Sequence, residues 1–147
     1  MSLKTTNEID IVRAISSKIN DVDFENLSFG STFTDHMLVC DFKEGQWQKP
    51  VIKPYEPFMI DPSAKVFHYG QAIFEGMKAY KGEDNSVWLF RPDENLIRFN
   101  KSAVRMAMPE VPENIFIDGM KKILDIERDW VKKGLGNKLY IRKYIIV

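Results

Sequence analysis

The sequence predicts an α+β fold, a mostly antiparallel sheet with helices packed on it, and two kinds of periodicity predict it. Stretches near 36–42, 47–53, 76–81, 87–90 and 138–147 read as strands, by alternation or by their β-branched and aromatic content. Stretches near 92–107 and 113–133 instead repeat apolar residues at three- and four-residue intervals, the mark of helices with one apolar face. Because both helices carry such a stripe and the hairpins alternate, the helices should cover one face of the sheet. The expectation is thus an antiparallel sheet, not a parallel doubly wound one.

The scale of the chain fits this. Its 147 residues, 44% of them hydrophobic, can bury one core, and the length argues for a single domain. A formal net charge of zero and a pI near 6.7 give no electrostatic footprint for nucleic acid. Cys40 is the one cysteine, which excludes an intrachain disulfide and fits a reducing compartment. No apolar run approaches a membrane span, and the first residues have no signal-peptide core. A soluble, cytoplasmic protein with no membrane partner is expected.

Residues 1–27 read as a helix and loop extension, and 28–147 as the domain proper. Ile9, Ile11, Val12, Ile15 and Ile19 suit a short amphipathic helix from Asn7 to Ile19, followed by an acidic loop. Phe29 and Phe33 precede the first strand on a Gly/Ser/Thr loop, where they either cap an apolar pocket or pack beneath a hairpin. Asp35 and His36 are adjacent but show no third partner, so neither a metal site nor a catalytic pair is assigned. Gly45 turns the strand into 47–53, where Pro50 argues for an edge.

A proline-marked loop then leads to His68–Gly82, HYGQAIFEGMKAYKG, the stretch richest in site-forming residues. Gly70, Gly76 and Gly82 punctuate it, and glycine permits positive φ and close backbone approach. A loop or single helical turn feeding a strand is the plain reading, and an ordinary glycine-bounded connection in a core is the alternative. Met77–Tyr80 alternates in polarity and pairs with Val87–Phe90 across a Glu-Asp-Asn-Ser turn. Pro92, Asp93 and Glu94 open the first main helix, as proline and acidic residues favour its first turn. Leu96, Phe99, Ala103 and Met106 line its apolar face, and Arg98 and Arg105 lie on one side, on the bland reading a solvated one. Pro109–Pro112 breaks it. Phe116, Met120, Ile123, Leu124, Ile126 and Trp130 line the second helix, which Gly134 and Gly136 end. The sequence then stops inside a strand-like stretch, Lys138–Val147, so it is expected to be a fragment of a longer protein.

Five segments in fixed order, FGSTFTDHML, QWQKPVIKP, HYGQAIFEGMKAY, LFRPDENLIRFNKSAVRM and LYIR, resemble the N-terminal part of the branched-chain amino acid aminotransferases. These are pyridoxal 5′-phosphate enzymes of fold type IV. The resemblance runs from about Phe29 to the end, and FTDHM resembles this family more than the related D-amino acid transaminases or aminodeoxychorismate lyases. It implies reversible amino transfer between leucine, isoleucine or valine and 2-oxoglutarate by a homodimer.

At matched positions the resemblance implies that Arg98 holds the cofactor phosphate, a role suited to the planar fork of a guanidinium. It places Phe29, Tyr69, Phe74 and Tyr140 in the substrate pocket, with Tyr69 acting across the dimer interface. Arg142 is implied to meet the side-chain carboxylate of glutamate or 2-oxoglutarate. Arg105 gains no role. The Schiff-base lysine and the glutamate at the pyridine nitrogen belong to a second domain and match nothing here; Lys78, Lys81 and Glu75 do not replace them. No catalytic residue is therefore assigned within the chain, and the fragment alone is expected to be inactive. Other readings are a different fold type IV enzyme, or a non-catalytic binding or dimerisation module.

Overall fold

The structure is a computed structural model that describes residues 9–147. In chain order it contains β1 (Asp10–Ile11), a 3-10 turn at Ile19–Asp21, β2 (His36–Val39), β3 (Phe42–Lys43), β4 (Gln46–Trp47) and β5 (Val51–Pro54). There follow α1 (Lys65–Tyr69), β6 (Ala72–Lys81), β7 (Val87–Leu89) and α2 (Pro92–Arg105). A π-helical stretch (Asn114–Asp118), α3 (Gly119–Ile126), a 3-10 turn (Arg128–Trp130) and β8 (Leu139–Ile146) complete it. The fold is α+β, and every strand pair but one is antiparallel among the described residues. The residues group into two compact units. One comprises the chain up to Glu56 with Asp118–Trp130, the other Pro57–Ile117 with Val131–Val147.

In the first unit β5 is the central strand of the order β1-β5-β2, and Ile52 at its centre is fully buried. Instead of the expected helix over 7–19, Asp10–Ile11 is a strand that runs parallel to Val51–Ile52. The edge of β5 explains this: the Asp10 and Val12 amides donate to the Pro50 and Ile52 carbonyls at 3.1 and 2.8 Å. Residues 7 and 8 of that expected helix lie outside the described residues. The strands expected at 36–42 and 47–53 are each interrupted, because Pro50 has no amide for a ladder and Asp41 is bonded by Gln48. Between them Glu44 and Gly45, both at positive φ, form the two-residue turn of the β3–β4 hairpin.

The helix expected over 113–133 is broken as well, and α3 is its one regular part. Gly119 sets how closely α3 lies on β2: a Cβ there would sit 2.8 Å from Leu38 Cδ1. Beyond α3 the chain turns so that Glu127 reaches His36 and Trp130 reaches Asp35.

In the second unit β6 is the central strand of β7-β6-β8, paired with β8 from Ala72↔Ile146 to Ala79↔Leu139. Where a loop or a single helical turn was expected before this strand, the structure has the short helix α1, which Gly70 ends in the left-handed conformation. The strand itself begins at Ala72, earlier than the expected 76, because β8 is long enough to pair with the whole Ala72–Phe74 cluster. Alternation then puts Ile73, Glu75, Met77 and Ala79 on the buried side, where α2 packs, and Phe74, Gly76, Lys78 and Tyr80 on the other. Pro92 opens α2 as expected, and Phe99 and Ala103 are its buried anchors. The Phe99 and Phe116 rings lie 5.5 Å apart, and burying a side chain of this size contributes roughly 1.5–3 kcal/mol. Asn100 pins the turn after α2 by exchanging two hydrogen bonds with the Val111 backbone, at 2.8 and 3.0 Å.

Candidate active site

The open face of β6–β8 concentrates aromatic and cationic side chains. Cross-strand pairing sets Phe74 opposite Tyr144, Gly76 opposite Arg142 and Lys78 opposite Tyr140. Gly76 leaves a gap in this face, and Tyr140 fills it: a Cβ on Gly76 would lie 2.2 Å from the Tyr140 hydroxyl. The Arg142 guanidinium stands 4.9 Å from the Phe74 ring centre and 5.4 Å from that of Tyr140. A cation over two rings is held by their π faces, and a guanidinium so placed has more N–H donors than the rings can use. The result is an aromatic shelf on which Arg142 is the cation set over the rings.

The opposite face carries a buried carboxylate. Glu75 is 5% exposed and meets four N–H donors. Arg98 donates to it twice, from Nε at 2.7 Å and from Nη2 at 2.6 Å, while Asn95 Nδ2 and the Gly76 amide donate at 3.1 and 3.0 Å. The Arg98 hydrogen bonds hold the Glu75 carboxyl below its ordinary pKa. The Arg98 side chain remains 68% exposed. It lines a shallow depression of about 470 Å³ together with Lys101, Ser102 and Arg105, so the two arginines seven apart do share a side. Facing Glu75 across the ladder is Lys143, whose ammonium donates to the Phe116 carbonyl at 3.0 Å and lies over the Phe116 ring. Burial pulls its pKa down to about 7.

Of the residues singled out from the sequence, Phe74, Tyr140 and Arg142 come together on the open face. Arg98 is directed to Glu75 on the covered side. Tyr69, largely exposed, is the last residue of α1 in the same unit. Phe29 belongs to the first unit, on the turn closed by the Ser31 amide bonding the Ser28 carbonyl, with its ring exposed. Sequence reading missed the attachment of Glu75, although its place among Ile73, Met77 and Ala79 on one side of a strand already demanded a partner. It also missed the third partner of Asp35 and His36. Ala14 N–H donates to His36 Nε2 at 2.8 Å, so the proton sits on Nδ1, which bonds Glu127. Trp130 Nε1–H and the Lys18 amide donate to Asp35 at 3.1 and 3.0 Å. No spacing rule links residues some ninety positions apart.

No protein-family profile matches the chain. Individual relatives do. The chain is 49% identical over 125 residues to branched-chain-amino-acid transaminase 1 of Bacillus subtilis, covering 84% of this chain and 35% of that protein. It is 45% identical over 136 residues to branched-chain-amino-acid aminotransferase 2 of the same organism, covering 92% of this chain and 38% of that protein. With the branched-chain-amino-acid aminotransferase of Mycolicibacterium smegmatis the figures are 42% over 123 residues, 82% and 33%. The kinship is with the branched-chain-amino-acid aminotransferases. The chain spans about a third of the length of these relatives. At this level of identity to the aminotransferases, the α+β fold and the order of motifs along the chain have one explanation, common descent. No helix among the described residues is long and apolar enough to cross a membrane.

Proposed function

We propose that this chain forms part of a branched-chain-amino-acid aminotransferase, which exchanges an amino group between leucine, isoleucine or valine and 2-oxoglutarate. The observation that carries this reading is the placement of the Arg142 guanidinium over the Phe74 and Tyr140 rings on an aromatic-rich open face. Two substrate types must be accepted in turn, a branched apolar side chain and a carboxylate-bearing one. The aromatic rings suit the first by contact, and the N–H edge of Arg142 suits the second by charge-assisted hydrogen bonds. Phe29 and Tyr69 are further pocket residues in this proposal, Tyr69 serving the partner's site in a homodimer.

Pyridoxal phosphate is the cofactor in this reading, and the donor set fits its phosphate. Arg98 commits two N–H groups to Glu75, keeps an exposed outer edge, and is flanked by Lys101 and Arg105. When bound, the cofactor supplies the electron sink that amino transfer requires. Arg98 holds the phosphate, Phe74 and Tyr140 exclude water from the substrate side chain, and Arg142 orients the carboxylate. No lysine here matches the cofactor-linking position, so the chain by itself is inactive on this reading.

Single-turnover reactions of the intact protein carrying this sequence, run separately with leucine and glutamate, test the assignment. Arg142→Ala should slow the glutamate half-reaction by roughly ten- to a hundredfold, matching the loss of a charge-assisted bond. The leucine half-reaction should fall much less, since an apolar side chain gains nothing from a guanidinium. Equal losses would remove Arg142 from this role.

A further inference from the structure

Glu75 has no part in the reaction as described, yet it is the most heavily bonded acidic group in its unit. A carboxylate between Ile73 and Met77 on the covered side of a strand would be costly without partners. Here it meets donors from α2 and from its own backbone. The Arg98 contact is side-on: Nε and one terminal nitrogen face Glu75, which leaves Nη1 and the outer N–H of Nη2 on the far edge. Asn95, one turn before Arg98, bonds the same Glu75 oxygen as Arg98 Nη2 and so fixes the carboxylate against rotation.

We propose that Glu75 is the positioning residue that presents the outer edge of Arg98 to the phosphate of the cofactor; this rests on the reading of Arg98 given above. A long, exposed arginine ordinarily loses rotamer freedom when it binds an anion. With Glu75 in place that freedom is already lost on folding, so it does not weaken binding. The negative charge of Glu75 works against an anion. That opposition is limited, because Glu75 is paired with the guanidinium that stands between it and the far edge, and that guanidinium is 68% exposed, where the effective dielectric is high. Orientation therefore outweighs repulsion, and Glu75 favours phosphate binding.

The test compares the affinities of the intact protein carrying this sequence for pyridoxal phosphate and for pyridoxal, which lacks the phosphate. Damage to the fold alters both, whereas loss of the presented edge alters their ratio. Glu75→Gln should lower the ratio roughly three- to tenfold, and Arg98→Ala should lower it further. Adding Glu75→Gln to Arg98→Ala should change the ratio no more. An Arg98→Ala effect with no fall, or a rise, in Glu75→Gln overturns the role of Glu75 alone. An unchanged ratio in Arg98→Ala overturns the phosphate reading of Arg98 and this inference with it. Should Glu75→Gln fail to fold, the unmodified protein still decides. The Arg98 Nε–H should be rigid by nitrogen relaxation without cofactor and stay so on adding inorganic phosphate; rigidity gained only with phosphate overturns the proposal.

Discussion

Lys143 shows how a single position combines conflicting requirements. Its alkyl stem lies on the covered side of β8, and its ammonium is held by a carbonyl and an aromatic ring. Burial lowers its pKa to about 7, with Glu75 opposing that shift. In the unfolded chain a lysine keeps its proton to about pH 10.4. Between those limits the unfolded state binds more protons, so stability should rise with pH through the window and level off at its lower value below about 7. Lys143→Met should flatten this slope and stabilise the protein below the window. Urea midpoints taken below, within and above the window check it, and equal slopes for the two proteins would refute it. The residue scale is also where the sequence was least legible. Arg98, Phe74, Tyr140 and Arg142 were singled out by the motifs of the resemblance, and three of them, Phe74, Tyr140 and Arg142, share one face. Glu75 and Lys143 were read past because their burial depends on which side of a strand each one faces. The His36–Glu127 pair was hidden by sheer separation along the chain.

Among the elements, α2 was the most legible, from its proline start to its apolar stripe, and its observed range differs from expectation only at the C-terminal end. Ala107, at positive φ, ends it. Helix signals are local, and here packing agreed with them. The segment at 9–19 went the other way, since an open edge of β5 accepts the Asp10 and Val12 amides, and the first turn of a helix would have left Asp10 N–H without a partner. An apolar period cannot register such an edge. Phe99 is the anchor of α2, packed on Phe116 and nearly fully buried. Phe99→Ala should lower stability by about 3–5 kcal/mol, read as a shift in the denaturation midpoint. A shift below about 1 kcal/mol, the size of an ordinary surface change, would show that the helix is held by something other than this contact.

For the whole molecule, each compact unit is assembled from two separate pieces of chain. Neither can be cut out as a continuous segment. The strand positions were nonetheless largely legible, because turn residues mark hairpin ends wherever the pieces come from. The proposed function makes two demands at this scale. The 147-residue chain, mixed with pyridoxal phosphate and reduced with borohydride, should show scattered lysine labelling with no stoichiometric site. The intact protein should sediment as a dimer. One fully labelled lysine would contradict the first demand, and an active monomer the second.

Strand β6 holds the Arg98 partner on one side and the aromatic shelf on the other, on successive residues of a single extended segment. Its two inventories are thus interleaved like odd and even pages, and they differ in how they tolerate change. Point substitutions can tune one side with little effect on the other. Loss or gain of one residue between Ile73 and Ala79 would exchange the sides, driving an aromatic ring under α2 and a carboxylate out of its cage. Length changes in this gene should therefore gather in the loops, and the spacing from Phe74 to Tyr80 should be far more resistant to drift than the identities of the residues that fill it.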